Sequence, residues 1–88
     1  MSQRQKFLAQ LLNTQNPATL DFAALVNLLA FLGFEQRIRG SHHLFTKAGI
    51  EEIINIQPAV GNSVKPYQAK QVRVVLLKYH AMLGLDII

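Results

Sequence analysis

The chain contains no cysteine, which excludes a disulfide framework and a thiolate-held zinc site and agrees with a reducing compartment. Histidine is scarce too. Only His42, His43 and His80 occur, at a spacing that matches no metal-ligand pattern, and the carboxylates do not gather around them. Gly33 and Gly40 are too far apart, with no Lys-Ser/Thr following, to form a phosphate-cradling loop. No metal and no other cofactor is therefore expected. Long apolar runs are also missing. The longest, 22–32, carries Asn27 in its middle and falls short of the roughly 20 residues that cross a bilayer, so neither a transmembrane segment nor a membrane partner is expected. The basic start, 1–6, leads into an apolar run interrupted at Gln10 and Asn13, too early for a secretory signal. A cytoplasmic location is the default. No internal repeat, low-complexity tract or linker divides the chain, so residues 1–88 read as one domain.

What remains is a small, half-hydrophobic, basic chain. Eighty-eight residues, 50% of them hydrophobic, suffice for one modest core and argue against disorder. Nine basic against five acidic residues give a net charge of +4. In so short a chain that favours a polyanionic partner, nucleic acid before membrane, because no basic amphipathic face of the membrane-binding kind is evident.

Hydrophobic spacing predicts the elements. Phe7, Leu8, Leu11 and Leu12 recur at helical intervals, predicting a short amphipathic helix broken by the turn-forming stretch 13–17. A second helix starts near Thr19 or Asp21, either of which can cap it, buries Phe22, Leu25, Val26, Leu29 and Leu32, and stops at Gly33. Residues 34–39 alternate as a strand, with Phe34, Gln36 and Ile38 on one face and Glu35, Arg37 and Arg39 on the other, wet face. With Arg39-Gly40 as a two-residue turn, Ile38 shares a side with His43 and Phe45, while His42 lies beside Arg37 and Arg39. After a connection over 47–52, residues 53–57 form a third β-branched strand ended by Pro58. A loop leads to Pro66, suited to the first position of a helix over 66–83 closed by Gly84. That helix turns Val72, Val75, Leu76, Tyr79 and Leu83 inward and leaves Lys70 and Arg73 on a polar face. The order is helix, helix, three antiparallel strands, helix: an α+β domain.

The stretch Gly40-Ser41-His42-His43-Leu44-Phe45 organises the functional reading. An imidazole titrates near neutral pH and can take or give a proton there. The two rings therefore read as a general acid/base pair or a phosphate-binding edge, or else as polar residues filling a strand edge. Lys70 and Arg73 read either as a solvated helix face or as phosphate contacts. His80, near the end of the last helix, fits a structural role against the free carbonyls and the negative end of the dipole.

These residues also resemble a known family. The run Leu29-Ala30-Phe31-Leu32-Gly33-Phe34, then Arg37, then Gly40-Ser41-His42-His43-Leu44-Phe45, a strand ending at Pro58 and a helix carrying Lys70, Val72 and Arg73 is similar to the HicA toxins over 19–83. Its specific part is Gly-Phe followed closely by Gly-Ser-His-His. The resemblance implies a double-stranded-RNA-binding-like α-β-β-β-α core, with 1–16 as an extra N-terminal helix and turn. It also implies the toxin of a type II toxin-antitoxin system: a metal-independent mRNA interferase, held inactive by a HicB-like antitoxin. The family's functional histidine then falls on His42 or His43. Around it, Arg37, Arg39 and Ser41 are the nearest candidates for phosphate contact, and Lys65, Lys70 and Arg73 could extend the track along RNA. Many family members follow the strand-ending proline with a basic residue and a histidine; this chain has Ala59-Val60-Gly61. Two other functions stay open, an RNA-binding module without cleavage and a protein-binding adaptor. The extra helix either covers apolar surface on the second helix or provides a homodimer or antitoxin contact.

Overall fold

The structure, a computed structural model, describes residues 3–13 and 20–85. Its elements are α1 (Gln3–Leu12), α2 (Phe22–Phe31), β1 (Glu35–Arg39), β2 (His42–Lys47), β3 (Ile50–Ile56), a short 3₁₀ turn (Val60–Asn62) and α3 (Pro66–Lys78). The fold is α+β: an antiparallel sheet in the order β1-β2-β3 with helices packed on one face. Among the described residues no helix is long and apolar enough to cross a membrane.

Local chemistry explains where α2 begins and ends. The Asp21 carboxylate accepts the Ala24 backbone N–H at 2.9 Å, satisfying a free donor of the first turn. Thr19, the other expected cap, lies outside the described residues. At the far end Phe34 N–H donates to Leu29 C=O and Gly33 N–H to Ala30 C=O. This paired closure needs a left-handed residue, which Gly33 supplies at φ +96°. Phe34 and Leu29, both buried, make the hydrophobic contact that accompanies it. The same turn drops the chain into β1.

The core lies between the helices and the inner sheet face. Phe45, Ile54 and Ile56 from the strands meet Leu25, Leu28 and Leu29 of α2 and Val72 and Leu76 of α3, all at 2% exposure or less. Burial of each such side chain is worth about 1.5–3 kcal/mol. Phe7 and Leu11 of α1 belong to this cluster, so α1 covers apolar surface. Phe31, the last residue of α2, is exposed, and the Arg4 guanidinium sits 3.6 Å from its ring centroid.

Three boundaries differ from the sequence reading. The hairpin turn is Gly40-Ser41, one residue later than expected, with Arg39 opposite His42 and Ile38 opposite His43. The pairing thus slips by two positions, and an even slip leaves every side chain on its expected face. Residues 50–52, expected as connection, belong to β3: a register irregularity between Phe45 and Lys47 absorbs the extra residues, and Ile50 is buried opposite Lys47. Finally, α3 stops at Lys78, five residues short of 83, because Tyr79 leaves helical dihedrals while its hydroxyl donates to Glu52 at 2.6 Å. Looser turns carry the chain on to Gly84, where Leu85 N–H returns to His80 C=O.

Candidate functional site

The sheet has one covered face and one open face, and strand alternation assigns the candidate residues between them. Arg37 stands opposite Leu44 and Arg39 opposite His42, while Leu44 stands opposite Asn55. Arg37, Arg39, His42, Leu44 and Asn55 therefore share the open face. Directly paired residues have Cβ atoms about 4.5–5.5 Å apart and diagonal neighbours stand about 7–8 Å apart, within the span of a long side chain, so both arginines are rooted on the same patch of sheet as His42. Among the described residues neither arginine has an ion-pair partner. A shallow depression of about 780 Å³, lined by Glu35, Gln36, Arg37, Arg39, Leu44, Thr46 and Ile53, runs over this face. Its floor is partly apolar: Ile53 is 56% exposed.

The hairpin sets His42 on the same face as Arg37 and Arg39, next to the lining of this depression in sequence and outside it. Gly40 has φ +59° whereas Ser41 does not enter the positive-φ region, the sign pattern of a tight turn with glycine first. His42 follows at the start of β2 and is exposed; its Nδ1 lies 3.1 Å from Asn55 Oδ1. Among the described residues nothing else bonds to the ring. Ser41 sits exposed in the turn itself.

His43 points the other way. Its ring is half-buried on the covered face, edge-on to Phe22 with centroids 4.9 Å apart and planes at 74°. Its Nδ1 is buried and, among the described residues, has no hydrogen-bond partner. The two imidazoles therefore lie on opposite sides, as strand alternation predicts, and of the two candidates only His42 shares the face of Arg37 and Arg39.

The basic residues of α3 do not join the group. Lys65 occupies the N-cap of α3, and Lys70 is exposed on its surface, lining a separate depression with Tyr67 and Ile53. Arg73 is corrected outright. It is only 9% exposed, and its Nε donates to Leu11 C=O at 2.7 Å, so the guanidinium caps the end of α1 rather than lying on a polar face. Lys70 and Arg73, three apart, were expected to share a face; α1 covers the Arg73 side.

Sequence reasoning passed over Asn55. The signal was present: in Ile53-Ile54-Asn55-Ile56 a lone amide interrupts a β-branched run at the position opposite to the buried Ile54 and Ile56. Among the described residues no three metal-ligating side chains come together. No protein-family model, curated protein or solved structure matches the chain.

Proposed function

We propose that the protein is a ribonuclease whose open sheet face binds RNA and whose His42 acts as general acid/base. One observation carries the reading: an exposed imidazole shares the open sheet face with two arginines that, among the described residues, have no ion-pair partner. RNA brings its own nucleophile. The 2′-hydroxyl attacks the adjacent phosphorus as His42 takes its proton; the P–O bond to the 5′-oxygen breaks, and that oxygen recovers a proton from the imidazolium or from water. Arg37 and Arg39 balance the charge that builds on the phosphorane oxygens. The products are a 2′,3′-cyclic phosphate and a 5′-hydroxyl, and every step uses groups of the protein and of RNA. Ser41 and the amides of the turn are secondary donors to phosphate, and the exposed Ile53 with the half-buried Leu44 offers apolar contact to an unpaired base.

The element order α2-β1-β2-β3-α3 fits the double-stranded-RNA-binding-like core that the HicA resemblance implies, with α1 as an added layer. On that reading the chain is the toxin of a toxin-antitoxin pair, its target is mRNA in the cytoplasm, and its partner is a HicB-like antitoxin.

End-labelled RNA incubated with the purified protein in the presence of a chelator tests the reaction. Cleavage to cyclic-phosphate ends, slowed by about 10²-fold or more in His42→Ala, is the expected result. RNA left intact by the parent protein overturns it. Salt-sensitive retention of uncleaved RNA would then identify an RNA-binding module, and absence of binding at low salt a protein-binding adaptor.

A further inference from the structure

Histidine can act as a base only through the nitrogen that lacks a proton, and which nitrogen that is depends on what the other one meets. His42 Nδ1 meets Asn55 Oδ1 at 3.1 Å. With the amide turned so that its oxygen faces the ring, as here, the oxygen can only accept, an orientation that pairs with a neutral ring protonated on Nδ1 and leaves the lone pair on Nε2. Among the described residues no group bonds to Nε2, and His42 is exposed.

We infer that Asn55 is a positioning residue, holding His42 in the Nδ1–H tautomer so that Nε2 is free to take the 2′-hydroxyl proton. The inference rests on the ribonuclease reading for its catalytic meaning. Its geometry is supported from two strands. His42 begins β2 directly after the turn, where a ring with several rotamers would otherwise be loosely held. Asn55 stands across the ladder, opposite Leu44, on a strand anchored by the buried Ile54 and Ile56 on either side. The amide therefore has a fixed base from which to orient a ring at a strand end. This is the arrangement in which a third group orients the base that activates a nucleophile. The charged groups around His42 are Arg37 and Arg39 on β1, and β3 presents the neutral Asn55. The amide orients the ring and also accepts from the imidazolium formed during the reaction.

Two variants and two readouts test this. Long-range ¹H–¹⁵N NMR of the intact protein, above the titration of His42, reports the tautomer directly. The expected result is an Nδ1–H signature in the parent that is lost in Asn55→Ala, with the thermal midpoint barely moved because Asn55 is exposed. In RNA cleavage, Asn55→Ala lowers kcat roughly 3- to 10-fold, the worth of one neutral hydrogen bond, with KM unchanged. Asn55→Asp keeps the acceptor, restores kcat at its optimum and moves the ascending limb of the pH profile upward, because the added carboxylate favours the imidazolium. An Nε2–H tautomer in the parent overturns the inference, as does a tautomer unchanged in Asn55→Ala or a variant that alters KM alone. Should the parent fail to cleave RNA, the ribonuclease reading falls, and the NMR still decides whether Asn55 sets the tautomer.

Discussion

Replacing Arg73 with methionine separates a buried helix cap from a surface phosphate contact. Methionine keeps most of the apolar stem and removes the guanidinium. Leu11 lies in the last turn of α1, where carbonyls run out of N–H partners, and α1 has no basic residue in that turn. Arg73, 62 positions away, supplies both donor and charge at 2.7 Å. A hydrogen bond to a charged group is worth about 1.5–3 kcal/mol, and a cation at a helix C-terminus adds about 0.3–1 kcal/mol. Relief from burying the charge offsets part of this. A net loss of about 2 kcal/mol remains, which in a domain of this size lowers Tm by about 8–16 °C. Thermal unfolding followed by circular dichroism measures it, and hydrogen exchange should show α1 opening first. The salt dependence of RNA binding should stay at the parent slope, whereas Lys70→Gln would reduce it by about 0.7 if Lys70 touched a single-stranded phosphate. A Tm within about 2 °C of the parent, together with a shallower salt slope, would refute the assignment of Arg73 as a cap.

Three further predictions follow from particular contacts. Glu52 accepts from Lys78 Nζ at 2.8 Å and from Tyr79 Oη at 2.6 Å, and the Lys78 ammonium, with help from the Tyr79 hydroxyl, holds its carboxyl down from 4.5 to about 2. A lowered carboxylate stabilises the fold above the unfolded value and loses that contribution as pH falls. The Tm gap between Glu52→Gln and the parent should thus be constant above about pH 5 and close between 4.5 and about 2, narrowing in high salt because the pair is exposed. His43→Phe keeps a ring against Phe22 and removes a buried nitrogen that has no partner among the described residues; it should leave stability unchanged or raise it by about 1 kcal/mol and retain RNA cleavage, so lost cleavage in a folded variant would return His43 to the site. Gly33→Ala places a Cβ at φ +96° and 2.6 Å from Lys47 Nζ; the lysine tip can swing aside, and the left-handed backbone leaves a cost of about 1–2 kcal/mol, readable as a shift in denaturant midpoint.

Much of this architecture was legible in the chain. The periodicities of Phe22, Leu25 and Leu29 and of Val72, Val75 and Leu76 mark the core faces of α2 and α3, and Gly33 and Pro66 mark their ends, because these signals are local. Face assignment in the hairpin survived a misplaced turn because side chains alternate with period two, so His42 falls with Arg37 and Arg39 under either pairing. What could not be read were the long-range choices. The carboxylates Glu51 and Glu52 look like loop, yet Glu52 joins β3 because Lys78 and Tyr79 receive it from α3. Arg73 looks like surface until α1 is folded over it. Asn55 gains its meaning only when β2 brings His42 alongside. Each of these depends on a partner between 13 and 62 residues distant, beyond the range of any sequence window.

The back-to-back histidines have a consequence for how variants should be interpreted. One peptide unit joins a ring packed edge-on against Phe22 to a ring on the arginine-bearing face, so the interior and the open face share a hinge. Trimming Phe22 would let His43 settle inward, tilt that peptide and swing His42 out of line with Asn55. A change made wholly inside the protein can thereby register as a chemical defect outside it, with binding intact.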